Sequence, residues 1–204
     1  MNSVQTVPLE LSYKGTRDYL HGTDMYNAIM ECMGRLTPEP LHDKVKIVIH
    51  DFFRNQCDML YAIGPERCMR PENARLEFYL GDNISGWLRE TGRPVLTRRP
   101  YPEDEMVAKS RIEGQTIFAV PNMGEAFSPI EVLVALTKRL HLAVRAGASR
   151  WAFTRIDLQR PLQDGDSGRL QVELLQTLGN RLTKSAVRIG DVPLGQIYFS
   201  AIGP

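Results

Sequence analysis

The chain has 204 residues, of which 43% are apolar, enough for a hydrophobic core in one or two domains. A formal net charge of +1 gives no electrostatic reason to expect nucleic acid or a membrane as a partner. The three cysteines leave an odd thiol, the N-terminus has no secretion-signal pattern, and no apolar run approaches the roughly 20 residues that cross a bilayer. These features favour a cytoplasmic protein. The sequence contains no zinc, P-loop or dinucleotide motif, so we expect no metal and no cofactor.

The first half of the chain predicts a strand, a loop, a helix and then several strands. The opening strand begins in residues 7–13. Thr23 or Asp24 is expected to cap a helix over residues 24–35, whose apolar side chains extend most of the way round, so that it should be enclosed. Apolar alternation then predicts strands at residues 44–53, 58–63 and 76–80 and a return strand from Trp87.

A charged stretch with several prolines, residues 92–110, follows the first half. Such composition is typical of a connection between domains. We therefore predict an N-terminal half over residues 1–95, a linker over residues 96–110 and a C-terminal half over residues 111–204.

The second half repeats the order of the first. A strand is predicted at residues 115–120, and Ser128 followed by Pro129 and Glu131 is a strong helix start, because Glu131 can return a hydrogen bond to the cap amide. The helix extends to about residue 145 and is apolar on every side, so it too should be buried. Strands are predicted at residues 151–158, 170–175, 183–189 and 196–201.

A short motif, G-D-x-x-x-G, occurs behind an apolar strand in each half, at residues 81–86 and 190–195. One such turn would be weak information, because Gly-Asp is common in hairpins. Two of them, behind the same order of helix and strands, favour an internal duplication.

The second-half helix SPIEVLVALTKRLHLAV and the strands in WAFTRIDLQRPL, GRLQVELL, LTKSAVRIG and LGQIYFSAI resemble the hotdog superfamily, in which a curved antiparallel sheet wraps a central helix. Two such halves resemble an α+β double hotdog, an internal pseudo-dimer that can pair further into a homodimer. The resemblance covers most of the second half and, more loosely, the first. It implies acyl thioesters of coenzyme A or of acyl carrier protein as partners. The activities it implies are dehydration, hydration or thioester hydrolysis, and some members of the superfamily have lost catalysis.

The resemblance places the chemistry near the start of a central helix, where this chain has His21. An imidazole there resembles the general base of hotdog dehydratases, and the helix amides that follow can polarise a thioester carbonyl. Asp24 would orient His21 or act as the acid. We expect the substrate to be bound by the surrounding residues, namely Tyr19, Gly22, Thr23, Tyr26 and Asn27. The alternative is that Thr23 and Asp24 cap the helix and His21 is a polar loop residue.

Two further carboxylates are catalytic candidates. Glu31 lies in an otherwise apolar helical turn, where burial would raise its pKa, although an outward-facing position explains it equally well. Glu131 resembles the catalytic acid that hotdog thioesterases place on this helix, but its capping position also explains it.

Three functions follow from these residues. The first is a dehydratase or hydratase with His21 as base, and the second is a thioesterase that uses Asp24, Glu31 or Glu131. The third is a noncatalytic acyl-binding or assembly protein. The candidate site favours an enzyme.

Overall fold

In the computed structural model of the protein, the described residues are 4–37, 43–123, 126–144, 150–179 and 181–202. The chain divides into two compact units, Met1–Tyr101 and Pro102–Pro204. No helix in the described ranges is long and apolar enough to cross a membrane.

The first unit is an antiparallel sheet with one long helix. Its strands are β1 (Gln5–Leu9), β2 (Tyr13–Lys14), β3 (Val45–Ile49), β4 (Asn55–Ile63), β5 (Ala74–Leu80), β6 (Ile84–Pro94) and β7 (Arg98–Arg99), and its helix is α1 (Gly22–Leu36). Five strands form the sheet in the order β1-β4-β6-β5-β3. Strands β2 and β7 form a separate parallel pair. Alternate residues of β5 are buried, as its apolar alternation predicts.

The second unit also combines an antiparallel sheet with one long helix. It contains α2 (Glu103–Val107), β8 (Arg111–Glu113), β9 (Thr116–Phe118), α3 (Pro129–Val144), β10 (Arg150–Leu158), a 3-10 helix (Asp164–Arg169), β11 (Leu170–Leu178), β12 (Leu182–Ile189) and β13 (Val192–Ile202). Its antiparallel sheet has the order β8-β9-β11-β12-β13-β10.

The two sheets differ in one respect that the sequence repeat does not predict. In the first unit the last strand, β6, pairs with both β4 and β5. In the second unit β12 is the strand between β11 and β13, and the last strand, β13, pairs with β10. The order along the chain is therefore repeated, whereas two strands exchange places in the sheet.

Both glycines of the repeated motif have a structural role. Gly81 and Gly190 adopt φ of 58° and 56°, which allows a tight turn between β5 and β6 and between β12 and β13. The second glycines, Gly86 and Gly195, lie where a Cβ would collide with neighbouring atoms of the sheet, among them the carbonyl oxygens of Leu60 and Asp157 respectively. The motif thus combines a left-handed turn with a close approach between strands.

The helices differ in burial. In α3, residues 132–136 are all buried, as predicted. The helix α1 buries Met25, Tyr26, Ile29 and Met33, but its C-terminal half has an exposed side, so the expectation that it is enclosed on all sides was wrong. The reason is the exposed ion pair between Glu31 and Arg35, one turn apart, which belongs in water.

The segment predicted as a linker, residues 96–110, contains β7 and α2, and the boundary between the units lies within it. Some of its charged residues make specific contacts. Arg98 donates hydrogen bonds of 2.7 Å to the carbonyl oxygens of Gly15 and Arg17. In the second unit, Lys138 contacts Glu103 at 2.8 Å, which fixes α2 against α3. Charge in this segment therefore indicates specific contacts, which composition alone does not reveal.

Candidate functional site

The candidate functional site of the first unit lies at the N-terminus of α1. His21 is the N-cap residue, with extended backbone angles (φ −80°, ψ 136°), and the helix begins at Gly22. The amides of Asp24 and Met25 donate to the carbonyl oxygen of His21, at 3.0 and 3.3 Å. The predicted cap at Thr23 or Asp24 was therefore wrong, because both residues lie inside the first turn. The preceding amides, of Gly22 and Thr23, belong to the group for which a helix provides no acceptor.

Four polar side chains at this helix start are buried in contact with one another, and we call Lys14, His21, Thr23 and Asp24 the helix-start cluster. His21 is 4% exposed, Lys14 1% and Asp24 3%. His21 Nδ1 lies 2.7 Å from Thr23 Oγ1, and Lys14 Nζ donates to the same oxygen at 3.1 Å. Lys14 Nζ also forms an ion pair of 2.8 Å with Asp24 Oδ1. Buried charges need such partners, since an unpaired one is costly.

The carboxylate of Asp24 has two unlike oxygens. Oδ1 is in contact with the ammonium of Lys14 and with the guanidinium of Arg99. Oδ2 is also buried and has no hydrogen-bond partner among the described residues. The two cations fix the orientation of the carboxylate through Oδ1. Its second oxygen is left as a buried acceptor.

Arg99 and Tyr101 connect the helix-start cluster to the surface. The side chain of Arg99 is 56% exposed although it reaches Asp24. The ring of Tyr101 is half-buried and lies 5.2 Å from the imidazole of His21 and 4.7 Å from Lys14 Nζ, the latter a cation–π contact. Strand β7, which carries Arg99, is held by its parallel pairing with β2, which carries Lys14.

Of the predicted binding residues, Gly22 and Thr23 are in the first turn of α1. Tyr26 is buried in that helix, Asn27 is half-buried, and Tyr19 packs on Phe52 with ring centroids 4.5 Å apart. The five residues lie near one helix end, and their contact with a substrate stays a prediction.

The other two candidate carboxylates, Glu31 and Glu131, each have a contact within their own helix end. The Glu31 side chain is 70% exposed and pairs with Arg35 at 3.0 Å. It therefore takes the outward-facing position, and not the buried position in which a carboxylate would be desolvated. Glu131 Oε2 accepts hydrogen bonds from the amide and hydroxyl of Ser128 at 2.9 and 2.8 Å. The predicted capping contact is present, and it engages one of the two oxygens of the Glu131 carboxylate.

Lys14, Arg99 and Tyr101 belong to the surroundings of His21 and Asp24, and the sequence does not predict them there. A single lysine next to an apolar strand gives no signal of burial, since lysine is usually exposed. Asp24 and Arg99 lie 75 positions apart in the sequence. Arg99 is held near Lys14 by the pairing of β7 with β2, which involves only two residues in each strand. Two other arginines near Arg99 in the sequence also have partners: Arg93 pairs with Asp58 and Glu10, and Arg98 donates to the carbonyl oxygens of Gly15 and Arg17.

The second unit has a cleft of about 350 Å³ at the N-terminal end of α3. It is lined by the loop before that helix and by the 3-10 helix, and its polar members are Asn122, Asp164, Ser167 and Arg169. The sequence analysis did not predict it. No group of three His, Cys, Asp or Glu residues with metal-site geometry is found in the part of the chain that the structure describes.

Comparison with known proteins shows similarity in structure alone. No protein-family model and no curated protein matches the sequence. The tesB protein of Mycobacterium avium subsp. paratuberculosis has 12% identity and a TM-score of 0.51, with 95% of this chain and 91% of that chain covered. A protein assigned as thioesterase II from Thermobifida fusca has 7% identity and a TM-score of 0.50, with coverage of 98% and 92%.

The chain has the hotdog fold. The dehydratase domain of PpsC from Mycobacterium tuberculosis, solved in complex with C12:1-CoA, has 10% identity and a TM-score of 0.47, with coverage of 98% and 93%. Structural similarity at such low sequence identity assigns no chemistry.

Proposed function

We propose that the protein processes acyl thioesters of coenzyme A or acyl carrier protein, and that thioester hydrolysis is the reaction its geometry supports best. The observation that carries the proposal is the geometry of the Asp24 carboxylate. Its Oδ1 contacts two cations, whereas its Oδ2 is buried and has no hydrogen-bond partner among the described residues. An oriented carboxylate with one unengaged oxygen is suited to take a proton from water.

In the proposed hydrolysis, water gives a proton to Asp24 Oδ2 as its oxygen bonds to the thioester carbonyl carbon. The amides of Gly22 and Thr23 and the positive end of the α1 dipole stabilise the oxyanion that forms. The C–S bond then breaks, the proton on Asp24 passes to the departing sulfur, and the products are a carboxylic acid and a thiol. His21 lies at the same helix end and contacts the acyl thioester.

The substrate has to reach a cluster that is almost fully buried. Arg99 and Tyr101 are the neighbours of the helix-start cluster that extend to the surface. We propose that a thioester enters on their side, with the Tyr101 ring moving aside. The guanidinium of Arg99 is suited to the phosphates of coenzyme A or of a carrier's prosthetic arm.

The second candidate is dehydration of a 3-hydroxyacyl thioester, with His21 as the base that removes the C2 proton. The contact of 2.7 Å between His21 Nδ1 and Thr23 Oγ1 is compatible with this reaction in one tautomer alone, in which Nδ1–H donates to Thr23 and Nε2 is left as the acceptor. His21 would then return the C2 proton to the C3 hydroxyl group, which leaves as water and gives a 2-enoyl thioester.

We also propose that residues 1–95 and 111–204 are two hotdog-like domains, each with one central helix, α1 and α3, so that the chain is a double hotdog. The repeated order of elements and the shared roles of the motif glycines support this duplication. If the two halves arose by duplication, strands β5 and β6 must have exchanged their positions in the sheet relative to β12 and β13.

The proposed function is tested by incubating the protein with saturated acyl-CoAs of several chain lengths and with 3-hydroxyacyl-CoAs. Release of free thiol is measured for hydrolysis and the absorbance of the enoyl thioester for dehydration. We expect thiol release with the saturated substrates. Enoyl formation without thiol release would replace hydrolysis by dehydration. Tight binding of acyl-CoA without either product would assign the protein to the acyl-binding class.

A further inference from the structure

The hydroxyl group of Thr23 lies between a lysine and a histidine. Lys14 Nζ is 3.1 Å and His21 Nδ1 is 2.7 Å from Thr23 Oγ1. Thr23 is fully buried, so water does not supply further partners. The hydrogen atoms of the two contacts to Thr23 Oγ1 must therefore come from these three residues.

Donor chemistry restricts the assignment. An ammonium group has hydrogens and no lone pair, so Lys14 donates to Thr23 Oγ1. Lys14 is in the ammonium form in its ion pair with Asp24 at 2.8 Å. The hydroxyl hydrogen of Thr23 then needs an acceptor, and His21 Nδ1 is the one that the described contacts provide. A buried hydroxyl hydrogen without an acceptor would cost free energy.

We infer that Lys14 and Thr23 form a relay of hydrogen bonds that sets the tautomer of His21, with Nδ1 as acceptor and the hydrogen on Nε2. Lys14 and Thr23 are positioning residues in this arrangement, since they act through the imidazole. Nothing in the sequence pattern assigns this role to Lys14.

The tautomer bears on the reaction, and this consequence rests on the proposed function. An imidazole with hydrogen on Nε2 donates at that nitrogen, so His21 would donate a hydrogen bond to the thioester carbonyl oxygen and assist hydrolysis. It could not remove a C2 proton through Nε2. The relay therefore favours hydrolysis over dehydration by the same side chain.

The test is nitrogen-15 NMR of the histidine side chains, which reports which ring nitrogen carries hydrogen and needs no substrate. The spectrum is recorded at a pH at which the imidazole is neutral, and His21→Gln identifies the His21 signals among those of the four histidines. We expect wild-type His21 to be at least about nine-tenths Nε2–H, because one ordinary hydrogen bond biases the ratio about tenfold.

Two variants separate a relay from mere packing. Thr23→Val keeps the shape but removes the hydroxyl, and should reduce the Nε2–H preference about tenfold, while Thr23→Ser should retain it. Lys14→Met leaves Asp24 paired with Arg99 and frees the Thr23 hydroxyl to accept as well as donate, so the preference should also fall. Thr91→Val is the control, since that hydroxyl donates to the carbonyl oxygen of Gln56 on neighbouring strands.

Hydrogen on Nδ1 of wild-type His21 would overturn the inference, and this result requires no variant to fold. Unchanged His21 signals in a folded Thr23→Val protein would also overturn it. Failure of the proposed function looks different. A protein that hydrolyses no thioester but shows the Nε2–H tautomer and its loss in Thr23→Val retains the relay, whereas an active protein with Nδ1–H loses the relay alone.

Discussion

Replacement of Gly86 by alanine tests the close approach of strands that the repeated motif creates. A Cβ at Gly86 would lie 2.6 Å from Phe78 Cε1 and closer still to Phe78 Cζ and the carbonyl oxygen of Leu60. Carbon atoms pack at about 3.5 to 4 Å, so the neighbours would have to move by about 1 Å. Leu60 belongs to β4, which pairs with β6, and a backbone oxygen there cannot swing aside as a flexible side chain can.

Overpacking usually costs about 1 to 3 kcal/mol, and this substitution meets both an aromatic ring and a backbone atom. We expect a loss of about 3 kcal/mol or more in the free energy of unfolding, measured by urea titration. The melting temperature should fall by about 6 to 12 °C for a chain of this size. Gly92→Ala is the matched control on the same strand, because a Cβ there has no atom within 4 Å, and its effect should stay within about 0.5 kcal/mol. Equal losses in the two variants would refute the reasoning.

Three further predictions follow from burial and capping. Ile29→Ala and Leu133→Ala, both at fully buried positions of α1 and α3, should each lower the free energy of unfolding by about 2 to 5 kcal/mol, and thermal melts that barely move would show that these helices are peripheral. Glu131→Ala removes the acceptor for the Ser128 amide and should lower the free energy of unfolding, measured by urea titration, by about 0.5 to 2 kcal/mol. Replacement of the exposed Glu31 by alanine is the control and should lower it by less than about 0.5 kcal/mol, and the reverse order would contradict the capping role. Burial raises the pKa of the Cys57 thiol to about 12, and it also raises the pKa of the half-buried Cys32 thiol. Iodoacetamide at pH 8 should therefore alkylate Cys32 first and Cys57 after unfolding, and rapid labelling of Cys57 in the native protein would contradict its burial.

Much of the fold was predictable because local chemistry and tertiary structure agree along most of the chain. The alternation in β5 and the Ser128 to Glu131 helix start each specify one local structure, and the structure has both. The hotdog fold followed from the order of such elements. The α1 start was misplaced by two residues because Thr23 and Asp24 are ordinary capping residues, whereas the extended backbone of His21 begins the helix.

The candidate site was predictable in position but not in composition. His21 and Asp24 could be found because the resemblance points to the start of a central helix. Lys14 and Arg99 could not, since their contacts with Asp24 depend on the pairing of two short strands far apart in the chain. The exchanged positions of β5 and β6 in the sheet could not be predicted either. A turn motif specifies that two strands form a hairpin, but it does not specify which of the two pairs with the neighbouring strand of the sheet.

The central claim is tested most directly by thiol release from acyl-CoA, compared among wild type, Asp24→Asn and Asp18→Asn. Asp18 lies in the loop before α1 with an 81% exposed side chain, so its variant controls for the substitution itself. We expect Asp18→Asn to match wild type and folded Asp24→Asn to lose at least about 10²-fold in kcat/KM, the lower range for loss of a general base. If loss of the ion pair with Lys14 unfolds Asp24→Asn, the double variant Lys14→Met, Asp24→Asn replaces it, with Lys14→Met as its reference. Unchanged thiol release without the Asp24 carboxylate, or no turnover of any acyl-CoA or acyl-carrier substrate by wild type, would contradict the account.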